Sequence, residues 1–285
     1  MLFIDRPDGT RVRGLPAFNA IMPYLLRGRN ESAVWFSRDI DVENAVRWVH
    51  SRNAGLGETR YSLFGLIIAA AVRTVALKPR LNRFVHRRGV YQRTGISVSF
   101  IVKKRLKEEA GEANAKIHFL PEDTVETAMG RINEAIEFAR GPVPGPDDRE
   151  VEIAHRVPGG KAFITSAFRV LDRLNIAPTW MIRNDPLFTS IYFANLGSIG
   201  LDTPFHHLYE WGTASLFIVL GRLFQAEGGR AEGGSGRRHF LNLKVTVDER
   251  VAEGLYFAHA ASLFQRLVAR PELLEELPDL SSAER

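Results

Sequence analysis

The side chains best suited to acid–base chemistry are concentrated in one short segment, FHHLYEWG, at positions 205–212. It contains two adjacent histidines, His206 and His207, followed by Tyr209 and Glu210. A neutral imidazole accepts a proton near neutral pH, and a neighbouring carboxylate can orient the ring. A tyrosine hydroxyl can donate a hydrogen bond to a developing oxyanion. These residues are therefore candidates for a general base, its orienting group and an oxyanion donor, although adjacent aromatic residues also occur as plain interface packing.

A second set of ionisable groups lies in VTVDERVAEG, at positions 245–254. A glutamate acts as a base near neutral pH only where burial or a like charge favours its protonated form. Glu253 would supply such a charge to Glu249, whereas Arg250 would oppose it. The alternative interpretation is that Glu249 is an ordinary solvated residue at the start of a helix.

Several other chemistries are excluded by the residues present. The chain has no cysteine, which excludes thiol nucleophiles, disulfides and thiolate zinc sites. His206, Glu210 and Glu249 could in principle hold a metal, but their spacing matches no standard signature, so no metal is expected. The sequence contains neither a P-loop nor a dinucleotide fingerprint, and it lacks the G-x-S-x-G motif.

Composition predicts a folded globular protein. The 285 residues are 45% hydrophobic and 25% charged, which is enough apolar material for a large core. The net charge of +5 is spread along the chain, so we expect small anionic ligands rather than nucleic acid. The longest apolar run, 63–72, is far shorter than the roughly twenty residues of a membrane span, and no export signal is visible. We therefore expect a cytoplasmic protein.

Hydrophobic periodicity predicts an alternation of helices and strands. The predicted strands are 34–40, 96–102, 116–120, 190–194, 214–221 and 239–248. The predicted helices are one that follows an N-cap at Asp41, then 61–77, one capped by Asp123 with Glu126 in a capping box and ending at Gly141, then 163–176 and 255–269. Because 61–77 is apolar on all sides, it should lie inside a core covered by a sheet. The fold class predicted is α+β, with a mixed sheet.

No composition break divides the chain, so 1–285 is predicted to be a single domain. Residues 1–14 are interpreted as an N-terminal extension and 276–285 as a C-terminal tail. Segments 103–114 and 141–148 are expected to be a hairpin tip and a Pro/Gly loop. The Gly-rich segment 226–238 is predicted to be a flexible loop between the last two strands.

Five segments, in this order, resemble motifs of the catalytic domain of 2-oxoacid dehydrogenase acyltransferase subunits. They are YSLFGLIIAAAVRTVALKPRLNRFV (61–85), DTVETAMGRINEAIEFARG (123–141), FANLGSIGLD (193–202), VTVDERVAEG (245–254) and LVARPELLE (267–275). The chain also resembles chloramphenicol acetyltransferase, which has a looser form of the same motifs. The resemblance implies a two-layer α/β sandwich that forms a homotrimer, with active sites at the subunit interfaces and a coenzyme A thioester as substrate. The sequence contains no lipoyl module, so no covalent lipoyl group is expected.

The resemblance also assigns positions to the candidate residues. Glu249 matches the histidine of D-H-R-x-x-D-G that takes a proton in the family, and Glu253 matches its later acidic or amide residue. Ala194 matches a hydroxyl residue that stabilises the oxyanion. Segment 205–212 matches a strand lining the channel, with Glu210 near a threonine of chloramphenicol acetyltransferase. In such a strand His206, Leu208 and Glu210 would face one side and His207 and Tyr209 the other.

Two hypotheses follow from the replacement of the family's histidine by Glu249 and of its hydroxyl residue by Ala194. Loss of an oxyanion donor costs about 10²–10³ in rate unless it is replaced. The first hypothesis is an atypical acyltransferase that uses acyl-CoA or an acyl carrier through a rebuilt site, with His206 or His207 as the base. The second is a catalytically inactive acyltransferase-fold protein that serves as a trimeric scaffold or ligand-binding subunit. Gly197, Gly200 and Gly254 are expected to be backbone requirements.

Overall fold

The computed structural model describes residues 5–103, 112–141, 159–227 and 236–282. Within these ranges there are seven α-helices and nine strands. The helices are α1 (Ala17–Leu25), α2 (Glu43–Asn53), α3 (Leu63–Leu77), α4 (Val125–Arg140), α5 (Gly160–Arg173), α6 (Thr179–Asn184) and α7 (Gly254–Ala269). The strands are β1 (Gly9–Arg11), β2 (Ala33–Asp41), β3 (Arg83–His86), β4 (Gly89–Arg93), β5 (Ile96–Lys103), β6 (Glu112–Phe119), β7 (Ile191–Asn195), β8 (Leu216–Glu227) and β9 (Arg237–Asp248).

The main sheet has six strands in the order β2-β9-β8-β7-β5-β6. Strand β7 runs parallel to β5 and β8, and the remaining pairs are antiparallel. Helices α3, α4 and α7 pack on one face and enclose the largest hydrophobic cluster. The predicted α+β class, a two-layer sandwich on a mixed sheet, is confirmed.

Helix α3 forms the centre of this cluster. Twelve of its residues, Gly65 to Ala76, are buried, as the almost wholly apolar sequence predicts. It begins two residues later than predicted, because the Ser62 side chain accepts a hydrogen bond from the Gly65 N–H at 3.0 Å. The predicted end of the helix at Leu77, just before Pro79, is confirmed.

The alternation along β9 separates the two faces of the sheet. Leu243 and Val247 point to the helices, where they join the main cluster. Thr246 pairs with Phe217 of β8, which in turn pairs with Tyr192 of β7, and these three side chains lie on the opposite face. A second, smaller cluster covers that face, built on Tyr192, Phe217 and Leu208.

Residues near the chain start take part in a separate three-stranded sheet of order β1-β4-β3. Gly9–Arg11 pair with Tyr91–Arg93 of β4. Part of the predicted N-terminal extension is therefore hydrogen-bonded to the body of the protein. Near the other end, the Glu276 carbonyl accepts a hydrogen bond from the buried Arg73 at 2.8 Å.

Two helix starts differ from prediction by one residue. Val42, not Asp41, is the N-cap of α2, although the Asp41 carboxylate accepts from the Glu43 N–H. Thr124 replaces Asp123 as the N-cap of α4. The predicted capping box is wrong, since Glu126 instead accepts hydrogen bonds from Arg60 and Tyr61.

Other element bounds also differ from prediction. Strand β6 begins at Glu112 rather than Lys116, and α5 covers 160–173 rather than 163–176. Strand β8 continues to Glu227 and β9 begins at Arg237, because ladder pairing continues into the segment predicted as a loop. Segment 205–212 is not a strand but lies in an irregular connection. The described residues do not include 228–235 of the predicted Gly-rich loop, 104–111 of the predicted tip 103–114, or 142–148 of the predicted Pro/Gly loop.

No helix among the described residues is long and apolar enough to cross a membrane.

Candidate active site

The turn after β9 exposes Glu249, while its two sequence neighbours, Asp248 and Arg250, are buried. The Asp248 carboxylate, which is fully buried, accepts from the Arg250 Nε at 2.8 Å and Nη2 at 2.7 Å. Arg250 also donates to the Leu26 carbonyl at 2.9 Å. Glu249 itself is exposed, and its N–H donates to the Ser32 carbonyl at 3.0 Å. The Arg250 guanidinium is therefore paired with Asp248.

Glu249 lines an open groove of about 980 Å³ between β2, the start of α7 and the segment 12–22. Glu253 lines the same groove, and its carboxylate accepts a hydrogen bond from the Arg80 guanidinium at 3.1 Å. Arg13 and Arg83 also lie on the groove wall. Two carboxylates and three guanidinium groups thus face one space, which favours an anionic or polar ligand.

His206 and His207 lie on the other face of the sheet, with their rings stacked 4.7 Å apart. The His206 ring also stacks on Phe217 at 3.9 Å. The predicted alternation of these two side chains is wrong, because the segment is irregular and both rings lie together. Thr246 fixes the backbone here by donating to the His206 carbonyl at 2.6 Å.

The hydrogen bonds of both imidazoles define their tautomers. The His206 Nδ1 lies 2.7 Å from the His207 carbonyl, and the His207 Nδ1 lies 3.0 Å from the Leu208 carbonyl. A carbonyl only accepts, so each neutral ring carries its proton on Nδ1 and keeps a lone pair on Nε2. Burial lowers the pKa of His206, with a smaller opposing effect from the hydrogen bond to the His207 carbonyl. A neutral His206 therefore has the protonation state of a general base.

Tyr209 joins the histidine rings. Its ring lies 5.5 Å from His206, 5.2 Å from His207 and 5.9 Å from Tyr192. Burial raises the pKa of the Tyr209 hydroxyl, so it stays protonated and able to donate. The imidazole of His206 and the protonated hydroxyl-bearing ring of Tyr209 are therefore adjacent.

Glu210 points away from these rings. Its carboxylate accepts from the Arg29 N–H at 3.3 Å, and from the N–H and side-chain amide of Asn30 at 3.0 and 3.1 Å. Burial favours a higher pKa for Glu210, but these hydrogen bonds and the Arg29 charge outweigh it, and the pKa lies below its ordinary value. Within one chain Glu210 therefore secures the turn at 28–30, and the expected pairing with an imidazole is not formed.

The candidates thus form two groups on opposite faces of the sheet. Glu249 and Glu253 share the groove with Val34 and Phe36, whose side chains lie on the helix side. His206 and Tyr209 pack on Phe217, on the other side. A site that contains both groups would require two copies of the chain. Across the described residues, no cluster of three or more His, Asp and Glu side chains is arranged to hold a metal ion.

The end of β7 has the geometry expected of a tight strand end. Ala194 packs in the second cluster, on the same face as Tyr209. A Cβ added to Gly197 would lie 2.1 Å from the Gly221 carbonyl oxygen, so only glycine fits there. Gly200 has a φ of 77°, which favours glycine. Gly254 is not a backbone requirement, since a Cβ there meets nothing within 4 Å.

Sequence reasoning missed the buried cations that support both groups. Arg29 donates to the Tyr209 and Glu210 carbonyls at 3.3 and 3.2 Å, which ties the start of the chain to the histidine segment. Burial lowers the pKa of Arg29. The Asp248–Arg250 spacing was a visible signal, because residues two apart at a strand end can pair across a turn. Arg29 gave no such signal, since its partners are about 180 residues away.

The fold is that of known acyltransferases. Dihydrolipoamide acetyltransferase of Azotobacter vinelandii superposes with a TM-score of 0.60 at 14% identity, over 93% of this chain and 94% of that chain. A catalytic core of the 2-oxoacid dehydrogenase complex from Thermoplasma acidophilum has a TM-score of 0.55 at 14% identity, over 91% and 98%. Chloramphenicol acetyltransferase has a TM-score of 0.53 at 14% identity, over 96% and 100%. The resemblance drawn from sequence motifs is thereby confirmed for the fold.

No protein-family model and no curated protein matches the sequence itself. A serine, a histidine and an asparagine have been investigated for their role in the mechanism of the Azotobacter vinelandii enzyme. The expected match of Ala194, Glu249 and Glu253 to these residues rests on the sequence motifs alone.

Proposed function

We propose that this chain is an atypical acyltransferase, which moves an acyl group from coenzyme A or a carrier-protein thioester to an acceptor. The observation that carries this proposal is the groove at Glu249, on a fold whose structural relatives are acetyltransferases. Its volume of about 980 Å³ lies at the upper end of the range for small-molecule sites. Arg13, Arg80 and Arg83 give the groove cations suited to the phosphates of such a donor.

The proposed site lies between neighbouring copies in a homotrimer. In one chain Glu249 and His206 lie on opposite faces of the sheet, so each copy would present Glu249 to the histidine segment of the next. Cyclic symmetry would then produce three equivalent sites.

The proposed roles follow from the protonation states. The Nε2 lone pair of His206 or His207 takes a proton from the acceptor's N–H or O–H as that atom attacks the thioester carbonyl. The Tyr209 hydroxyl donates to the resulting oxyanion in place of the hydroxyl missing at Ala194. Collapse of the tetrahedral intermediate breaks the C–S bond, and the proton passes to the leaving thiolate. Glu249 stabilises the imidazolium formed during the transfer, and Glu253 and Glu210 support the two sides of the site.

An amine acceptor would place the smallest demand on such a base. A free amine attacks without prior deprotonation, so proton removal is needed only as the intermediate forms. A hydroxyl acceptor would depend much more strongly on His206 or His207.

The test is release of free thiol from acetyl-CoA and longer acyl-CoAs in the presence of amine and alcohol acceptors. We expect His206→Ala or His207→Ala, and Glu249→Gln, to lower the rate by about 10²–10⁴. His259→Ala and Glu272→Gln change exposed residues of the same types outside the groove and the histidine segment, and should have no effect. A folded trimer that releases no thiol with any donor would overturn the proposal.

A second candidate is a catalytically inactive trimeric scaffold or ligand-binding subunit. The specific observation in its favour is the alanine at 194, which offers no hydroxyl at the strand end. Calorimetry with coenzyme A separates the two roles. Binding without thiol release would identify a ligand-binding subunit, and a stable trimer that binds no coenzyme A would identify a scaffold.

A further inference from the structure

A second cavity lies behind the groove, between the main sheet and helices α3 and α7. Its volume is about 190 Å³, and its walls are almost entirely apolar. The sheet side is formed by four adjacent strands, through Phe36 and Ile40, Val245, Ile218 and Ile191. Adjacent strands are about 4.8 Å apart, so the cavity extends for roughly 14 Å across the sheet. Its shape is that of a narrow channel.

Small residues on the helices create this space. The helix side is lined by four alanines, namely Ala71 of α3 and Ala258, Ala260 and Ala261 of α7. Natural cores contain few voids larger than a water molecule, because side chains interdigitate at close to crystal density. An open channel of this size is therefore a feature that needs an occupant.

The chemistry of the lining favours an apolar occupant over water. The inner polar group is the Thr74 hydroxyl, which already donates to the Ala70 carbonyl at 2.7 Å. Arg38 and Gln265 lie at the solvent side. A cavity of about 150 Å³ with a similar lining stays dry and accepts a benzene-sized guest. A water molecule would find too few partners in the inner part to replace its hydrogen bonds.

The channel adjoins the groove that holds Glu249. Phe36, Val247, Gly254 and Phe257 line both spaces. Gly254 lies at the junction, and a Cβ there would meet open space. A ligand with a polar head in the groove and an apolar tail in the channel would match both linings. The groove supplies the arginines for the head.

We propose that this channel binds the tail of an unbranched, medium-chain acyl group whose thioester lies in the groove beside Glu249. Scaled from the benzene-sized cavity, its volume suits about eight carbons. The inference rests on the proposed function, which supplies the thioester donor. It narrows the substrate class from any acyl group to saturated medium chains. Phosphates of the donor would lie against Arg13, Arg80 and Arg83.

The test measures binding of saturated acyl-CoAs from acetyl to palmitoyl by calorimetry, together with free octanoate. We expect affinity to rise by up to about fourfold for each added methylene and to stop rising near octanoyl. Ala261→Phe fills the channel from an exposed position of α7 and should reduce octanoyl-CoA affinity at least tenfold, to that of acetyl-CoA. Ser262→Phe adds the same ring to the next exposed residue, outside the channel, and should bind like the wild type.

A second variant distinguishes filling of the channel from misfolding of Ala261→Phe. Ala258→Phe fills the channel one helical turn earlier and should give the same loss. Affinity that is independent of chain length, or that survives both Ala258→Phe and Ala261→Phe in folded protein, would overturn the inference.

The two proposals fail in different ways. Thiol release from acetyl-CoA with no chain-length preference would leave the proposed function standing and remove the channel assignment. Octanoate binding that is lost in Ala261→Phe, in a protein that releases no thiol, would support the channel and remove the catalytic proposal.

Discussion

Arg250 and Asp248 form a two-point ion pair inside the protein, with Nε–Oδ1 and Nη2–Oδ2 distances of 2.8 and 2.7 Å. Both side chains are buried, while Glu249 between them is exposed to the groove. The pair fixes the backbone of the turn on both sides of Glu249. The Glu249 carboxylate is therefore presented by a rigid frame, and it has no hydrogen-bond partner among the described residues.

We predict that Arg250→Met strongly destabilises the protein. Removing the guanidinium leaves the Asp248 carboxylate buried without its counter-charge, which typically costs 3–5 kcal/mol, or about 4 kcal/mol here. Urea unfolding measures this as a lower midpoint. Arg222→Met, which breaks the exposed pair with Asp202 at 2.9 Å, is the matched control and should cost at most about 1 kcal/mol. Equal effects of the two substitutions would contradict the structural role of the pair.

We predict subunit complementation between two inactive variants. Glu249→Gln and His206→Ala should each lower thiol release by about 10²–10⁴, because each removes one half of the proposed interface site. Co-refolded mixtures should regain activity, since roughly a quarter of randomly assembled sites would combine an intact Glu249 with an intact His206 from the next chain. Thiol release by refolded mixtures is the measurement, with each variant refolded alone as the control. Complete inactivity of mixed trimers would argue that the two residues serve separate purposes.

We predict that His86 makes the protein less stable in acid. Burial is the main cause that lowers its pKa to about 3, and the nearby Arg6 adds to it, although the Asp172 carboxylate lies 3.6 Å from Nδ1. The charged groups that face the ring are Arg6, Asp8, Arg29, Arg87 and Asp172. In the unfolded chain His86 takes up a proton below its ordinary pKa of about 6.5, whereas in the folded chain it stays neutral until the pH approaches about 3. The free energy of unfolding therefore decreases as the pH is lowered through this range.

The pH effect can be isolated by substitution. Between pH 7 and pH 4 the loss from His86 should reach roughly 3 kcal/mol. His86→Gln should flatten this part of the pH dependence in urea unfolding, whereas the exposed His259→Gln should not. An unchanged slope in His86→Gln would show that carboxylates alone account for acid sensitivity.

We predict that Gly197→Ala disturbs the strand end next to Ala194. The new methyl group would lie 2.1 Å from the Gly221 carbonyl oxygen, so the turn after β7 must move away from β8, at a cost of about 1–3 kcal/mol. Thermal unfolding detects this change. Gly57→Ala, where a Cβ meets nothing within 4 Å, should be within about 0.5 kcal/mol of wild type. A Gly197→Ala protein as stable as Gly57→Ala would show that the strand end adjusts freely.

The sequence by itself determined the architecture. The almost wholly apolar segment from Gly65 to Ala76 could only be buried on all sides, and the alternation in β9 could only form a half-buried strand. These are local periodicities, so each is readable within one segment. The motif order around them led to the acyltransferase fold that the structural relatives confirm.

Tertiary structure alone decided where the chemistry lies. The sequence indicated His206, Glu210 and Glu249 as one group, yet Glu210 is held by Asn30 and Arg29, and Glu249 is across the sheet. The apolar channel behind the groove likewise depends on alanines from α3 and α7 meeting four strands. The physical reason is the same in both cases. Periodicity reports which face of an element is buried, whereas the contact between two side chains depends on how elements distant in the chain are placed against each other.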